Sequence, residues 1–369
     1  VGSLWGLPGP SRFVETIVDD VRGGSSVVLR FGGDLPAGLA DHLEQQTSWG
    51  TAWTPLSVDA ETPPLSAIRR SVAPEAPAVD FRMPQQVVLG ERFRNRVFWI
   101  DGLTPESWSA WRRFLRNFAH ARRNAEATAR PPVFLLPLCG AGFQVPDLAE
   151  PSVSSREFRD VVDRDDLYVL VLQSRQVRRR RRVIRALLAN TVAQVAQWDH
   201  VLAGVLLDGG PEAALQPQAT LAHYAEEHGW TAKTPELWEA GTLDGPQERP
   251  VVHSALLLVQ GRKRELNRRL WAAQAAVLLP LLEERRIELV DRNRHRFSRL
   301  PFETEFGVIE TPDDMELGAL VLYFSRHREG GQGVLGPAHR LRAFRNKLAH
   351  FRPLSFSEAT HSSLLNPIR

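Results

Sequence analysis

Between residues 12 and 172 short apolar runs alternate with amphipathic stretches, and this alternation limits the possible folds more than any other feature. "SRFVETIVDDVRGG" predicts a helix with Ser11 as its cap and Gly23 and Gly24 at its end. "SSVVLRF" follows as a short buried strand. "LADHLEQQ" is helical, "WTPLSVD" is a second strand, and "TPPLSAIRRSV" starts another helix with prolines in its first turn. "PQQVVLGERFRN" is expected to be helical and to lead into the strand "RVFWIDG". "TPESWSAWRRFLRNFAHARRN" is a long helix capped by Thr104, with Pro105 at the first position and Glu106 near the positive end of the dipole. "PPVFLLPL" and "DLYVLVLQ" complete a set of five apolar strands. Strands separated by helices predict a parallel sheet covered on both faces.

In such sheets ligands sit beyond the C-terminal ends of the strands. The turn after the first strand is therefore the place to look, and it reads "FGGDLPAGLADHL". Gly33 and Gly38 match the two glycines of a phosphate-cradling G-x-x-x-x-G-K-[ST] loop, but Leu39 replaces its lysine and Ala40 its hydroxyl. The third strand ends at Asp101, as a Walker B strand does, with Gly102 where an activating acid usually stands. Over residues 6–172 this order of elements resembles the P-loop ATPases of the STAND and AAA+ type. The resemblance implies a degenerate α/β domain without hydrolysis, since nothing neutralises the β- and γ-phosphates and the magnesium loses a ligand. Backbone amides could still hold an anion there, at Gly33 and Gly38 with Asp101 nearby. The other reading is an unrelated doubly wound domain in which "GGDLPAG" is a turn.

The second half reads as helices, with no convincing strand after Gln173. Arg178, Arg179, Arg180, Arg181 and Arg182 form an unbroken run at the start of a long helix. They are either a phosphate-binding stripe for RNA or a solvated helix entrance. Cations are unfavourable near a helix's positive end, so an anionic partner would offset a real cost. His223 and His228 are five apart, the wrong offset for two ligands on one helix face. "HSALLLVQGRKRELNRRLWAAQAAVLLPLLEERRIELVDRN" has helical spacing with a kink expected at Pro280, and "EGGQGVLGP" is expected to be a turn. The last long helix, "AHRLRAFRNKLAHF", is expected to stop at Pro353.

Within that helix, Arg345, Asn346 and His350 form R-N-x-x-x-H. This resembles the R-x4-H motif of HEPN domains, small helical bundles that are often dimeric. Many are metal-independent ribonucleases, and others bind RNA or partner proteins. The resemblance covers about residues 253–360 and implies that Arg345 steadies phosphorane charge while His350 exchanges a proton, with Asn346 orienting the imidazole. The other reading is a basic helix end on which His350 only complements the negative end of the dipole.

The remaining constraints come from composition. A single cysteine, Cys139, excludes an intramolecular disulfide and a Cys-rich zinc site, and neither metal nor cofactor is expected. The net charge is +3, and 43 of the 46 basic residues are arginine, as a GC-rich genome alone would produce. No signal segment or membrane-length apolar run is read, so a cytoplasmic protein without membrane contact is expected. The division expected is residues 1–174 as a degenerate P-loop-like α/β domain, 175–250 as a helical linker region and 251–369 as an all-α, HEPN-like bundle. A fusion of this kind resembles bacterial conflict and antiphage-defence proteins. It implies a regulated RNA-cleaving or RNA-binding protein, acting with RNA, other defence proteins and a second copy of itself. The alternative is a non-enzymatic adaptor or sensor in a defence complex.

Overall fold

The computed structural model describes residues 3–47, 50–72, 90–123, 130–143, 150, 152–305, 307–327 and 332–366. Two compact units emerge. One comprises Ser3–Asp163 with Pro235–Val252, and the other comprises Arg164–Thr234 with the described residues from His253 onward. These boundaries differ from the three-part division read from the sequence. Residues 164–234 belong with the later helices, and the short stretch 235–252 returns to the α/β unit.

The α/β unit is built on a five-stranded parallel sheet in the order β2-β3-β4-β1-β5. The strands are β1 (Ser26–Phe31), β2 (Ala52–Ser57), β3 (Arg96–Asp101), β4 (Val133–Cys139) and β5 (Val153–Glu157). Helices α1 (Pro8–Arg22), α2 (Leu39–Thr47), α3 (Pro64–Val72) and α4 (Pro105–Arg123) connect or flank them. The middle strands are Val- and Phe-rich because both of their faces are buried. Phe134 on β4 anchors one face. It stacks on Phe98 at 5.2 Å and meets Phe114 and Phe118 of α4 edge-on at 5.4 and 5.2 Å. Thr104 caps α4 by accepting from the Ser107 N–H at 3.3 Å. Ser11 does not cap α1, which starts at Pro8 after Leu7, with prolines filling its first turn. Of "PQQVVLGERFRN", residues 84–89 lie outside the described residues, and Glu91–Phe93 form a single 3-10 turn.

The fifth strand is not the predicted one. "DLYVLVLQ" lies in helix α5 (Arg164–Gln173), where Leu167, Leu170 and Val171 are buried at helical spacing and Val169 is exposed. Asp165 and Asp166 in its first turn favour the helix end that a strand reading ignores. The true β5, "VSSRE", is an edge strand in which only Val153 is buried, so it carries no apolar run. Its register against α1 is fixed by Asp20, whose carboxylate accepts from Arg156 Nε at 2.8 Å and Nη2 at 3.0 Å.

The helical unit centres on α7 (Lys263–Arg292), which packs against α6 (Arg182–Ala196) and α9 (Gln332–Ala349), with α8 (Leu317–Arg326) against α9. α7 runs through Pro280 as one helix, and α9 begins inside the stretch read as a turn and passes through Pro337. Two short hairpins correct the expectation of no strands after Gln173. Leu243–Asp244 pairs with Val251–Val252 in the α/β unit, and Phe302–Thr304 pairs with Gly307–Ile309 in the helical unit. Buried polar side chains on α7 fasten the segment after α9. The Gln274 amide accepts from the Leu354 N–H at 2.6 Å and donates to its carbonyl at 3.0 Å, and Arg285 Nε donates to the Leu364 carbonyl at 3.0 Å.

Candidate functional site

The end of α9 is held by a backbone device, and Pro353 does not stop it. Phe351 takes a left-handed conformation, φ 56°. The Arg352 N–H then reaches the Lys347 carbonyl at 3.0 Å and the Phe351 N–H reaches Leu348 at 3.2 Å. This is a Schellman closure with phenylalanine where glycine is usual. The ring of Phe351 lies 4.4 Å from that of Trp271, whose Nε1 donates to the Leu348 carbonyl at 2.6 Å. The Phe351 side chain is nevertheless 64% exposed.

Arg345, Asn346 and His350 sit on these last turns. His350 is exposed, and Arg345 and Asn346 are half-buried. Arg345 donates to the Asn346 amide oxygen and to the Glu316 carboxylate, each at 3.4 Å. Asn346 therefore holds the guanidinium, whereas the sequence suggested that it orients the imidazole. Glu316, at the head of α8, had no sequence signal linking it to Arg345.

At the C-terminal edge of the sheet, the loop carrying Gly33 and Gly38 is covered by its own unit. A Cβ on Gly32 would fall 2.2 Å from the Trp238 carbonyl and 2.7 Å from its indole nitrogen, and a Cβ on Gly33 would meet Gly241 at 3.6 Å. Arg30 of β1 lies 5.3 Å from the Trp238 ring centre and pairs with Glu157 and, at 3.8 Å, Glu239. Gly38, φ +78°, is held beside Trp5, whose Nε1 donates to the Ala37 carbonyl at 3.0 Å. Leu39, at the lysine position, is buried in the core. The Leu35 N–H is directed at the Cys139 sulfur, and burial with nearby Asp34 and Asp101 pushes that thiol up to about 11. Asp101 accepts from the Gly102 N–H at 2.9 Å. Gly102 itself has φ +82°, and a Cβ there would meet the Val58 carbonyl at 2.7 Å, which explains why no acidic side chain follows Asp101. The edge thus gathers carboxylates and packed backbone where a polyphosphate would need cations.

Arg178, Arg179, Arg180, Arg181 and Arg182 are all exposed, between a short helix, Arg175–Arg178, and the first turn of α6. Arg181 donates to the Asn366 side chain at 3.0 Å. His223 is exposed beside Glu226 and Glu227. Among the described residues no group of three or more His, Cys, Asp or Glu is placed to hold a metal ion, and no helix is long and apolar enough to cross a membrane.

One polar centre escaped the sequence reading. Asp199 accepts from the Val201 and Leu202 N–H groups at 2.8 and 3.0 Å, from the Tyr224 hydroxyl at 2.6 Å and from His253 Nε2 at 3.0 Å. His253 Nδ1 accepts from the Ala255 N–H at 3.2 Å, so the ring proton resides on Nε2. Against the upward push of burial, hydrogen bonds from His253 and Tyr224 hold Asp199 below the ordinary carboxylate range. His253 is 1% exposed, and its bond to Asp199 fastens two stretches of the helical unit together. No family model, curated protein or solved structure matches the chain.

Proposed function

We propose that the helical unit acts on RNA through Arg345 and His350, and that the α/β unit is a degenerate P-loop-like domain that does not hydrolyse nucleotides. The observation that carries this reading is a half-buried arginine, steadied by Asn346, on the same helix end as an exposed histidine. The 2′-hydroxyl of RNA attacks the adjacent phosphorus and the 5′-oxygen leaves. His350 takes the hydroxyl proton as the new P–O bond forms, the leaving 5′-oxygen takes a proton from solvent, and Arg345 balances the charge gathering on the phosphorane oxygens. The products are a 2′,3′-cyclic phosphate and a 5′-hydroxyl end. A homodimer that brings two such helix ends together, HEPN-like, would supply a second arginine and histidine. The setting we infer is bacterial conflict or antiphage defence, where the combined resemblance of the two units points.

Glu316 favours a second reading, a non-enzymatic adaptor or sensor. Its carboxylate lies 3.4 Å from Arg345 and competes with a phosphate for the same guanidinium. The experiment is RNA cleavage by the purified protein in EDTA, with analysis of the product ends, alongside phage resistance in cells. Cyclic phosphate ends that vanish in both His350→Ala and Arg345→Ala support the nuclease. Glu316→Gln should raise the rate by freeing Arg345. If His350→Ala protects cells as well as the parent at equal expression, the nuclease reading fails and the adaptor stands.

A further inference from the structure

A second cationic feature lies outside Arg345 and His350, and the geometry narrows it to three side chains. Residues 175–185 contain seven arginines and no acidic residue. Arg175, Gln176, Arg179 and Arg180 line an open pocket of about 380 Å³. The turn that carries them is firmly anchored. Val177 and Ser174 are fully buried, and the Arg178 and Arg180 N–H groups bond the carbonyls of Ser174 and Val177 at 3.0 and 2.9 Å. Gln176 is fixed by donating to the Asp208 carboxylate at 2.8 Å, which places one acid beside the pocket without engaging its arginines. Among the described residues Arg175, Arg179 and Arg180 have no acidic partner within ion-pair distance. Arg175 and Arg179 are one helical turn apart, so they share a face of the short helix and its continuation.

Three arginines without an acidic partner line one open pocket, so their like charges repel and an anion bound there relieves that repulsion. Guanidinium forks match phosphate oxygens in geometry as well as charge. We propose that this pocket is a phosphate-binding site, separate from the Arg345–His350 pair and independent of whether that pair is catalytic. The phosphates come either from a free polyphosphate chain or from consecutive links of a nucleic-acid backbone. The pocket is open and flanked by the exposed Arg178, Arg181, Arg182 and Arg185, so it can admit either.

The test uses the full chain and two probes at low salt, inorganic tripolyphosphate and a single-stranded oligodeoxynucleotide without terminal phosphates. Three proteins are compared: the parent, R175Q/R179Q/R180Q, and the charge-matched control R264Q/R268Q/R292Q, whose sites are exposed on α7. At least one probe should bind the parent, and the pocket variant should weaken it about tenfold or more while the control changes it about twofold at most. Loss of tripolyphosphate binding assigns the site to free phosphates. Loss of oligonucleotide binding alone assigns it to a nucleic-acid backbone, with the salt slope reduced by about two. Equal losses in both variants, or a parent that binds neither probe, overturn the site. Should the triple variant unfold, Arg179→Gln alone removes one exposed charge and must weaken binding in the same sense.

Discussion

Gly32 and Gly33 are neighbours in sequence, yet alanine should have opposite effects at the two positions. Neither has a left-handed backbone, so both differences are steric. At Gly32 the new methyl would lie 2.2 Å from the Trp238 carbonyl and 2.7 and 2.8 Å from its ring. Ordinary contact needs more than an ångström of extra space, and a carbonyl on packed backbone does not swing aside as a side-chain tip would. Overfilling a packed site costs about 1–3 kcal/mol. Lifting the covering segment away is the other way out. It would expose Trp238, which is 5% accessible, at a cost of roughly 5 kcal/mol for about 200 Å² of apolar surface. Gly32→Ala should therefore destabilise the protein by about 3 kcal/mol, between these bounds. At Gly33 the nearest atom is 3.6 Å away, an ordinary contact. There alanine should be neutral, or stabilising by about 0.5 kcal/mol, because it restricts the unfolded chain. Denaturant unfolding of both variants gives the comparison. Adding Trp238→Ala to Gly32→Ala should recover only part of the loss, since the carbonyl remains. If the two alanine variants agree within about 0.5 kcal/mol, residues 238–241 do not cover the loop and the account of the closed sheet edge is wrong.

Asp244 is buried, and burial with neighbouring Asp160 pushes its carboxyl up to about 6, although it accepts from the Asp160 and Gly245 N–H groups. A raised folded pKa means that the folded state holds a proton the unfolded state has lost, so this contribution is present near pH 4 and disappears as pH rises through about 6. Asp244→Asn keeps the acceptor and should stabilise the protein at pH 7.5 by up to about 3 kcal/mol, with the gain shrinking towards pH 4.5 in urea titrations. His253→Ala leaves the Asp199 carboxylate without one of its donors and should destabilise the protein by about 3 kcal/mol at pH 7, measured by unfolding. That loss should narrow in acid, because the lowered Asp199 stabilises above its unfolded pKa and ceases to as pH falls through its folded value. Phe351→Gly and Phe351→Ala both remove the ring from Trp271, but only glycine relieves the left-handed backbone. The glycine variant should be more stable than the alanine variant by about 1 kcal/mol, and equal melting temperatures would contradict the Schellman closure.

The parts legible in the sequence are those whose signal is local. The apolar runs of β1, β3 and β4, the capped start of α4 and the long periodicity of α7 all report burial or hydrogen bonding within a few residues. What stayed hidden depends on distant partners. "VSSRE" becomes a strand only because Ser26–Arg30 offers an edge and Asp20 anchors Arg156. "DLYVLVLQ" has strand-like composition, but its buried residues follow a helical period. The return of residues 235–252 to the α/β unit has no sequence marker at all. At the candidate site, Arg345, Asn346 and His350 were visible as residue types at a spacing. The Glu316 partner, 29 residues away, and the left-handed Phe351 were not, since neither a remote carboxylate nor a phenylalanine announces such a role.

These differences separate the ways in which substitutions act. In the α/β unit the C-terminal edge of the sheet is packed by Trp238, Gly241 and Trp5, with the carboxylates of Asp34 and Asp101 close by. Substitution there disturbs packing first, so any effect on activity should follow the loss of stability. In the helical unit Arg175, Arg179, Arg180 and His350 are exposed. Removing exposed side chains of this kind usually changes stability by no more than about 0.5 kcal/mol. A functional loss at those positions with an unchanged unfolding midpoint therefore reports on a ligand rather than on the fold. Arg345 is intermediate, because its Asn346 and Glu316 contacts are partly solvent-screened. Arg345→Lys separates its two possible contributions. Lysine keeps the charge but cannot present a planar fork, so a phosphate-directed arginine should lose activity in that variant, whereas one that only balances Glu316 should not.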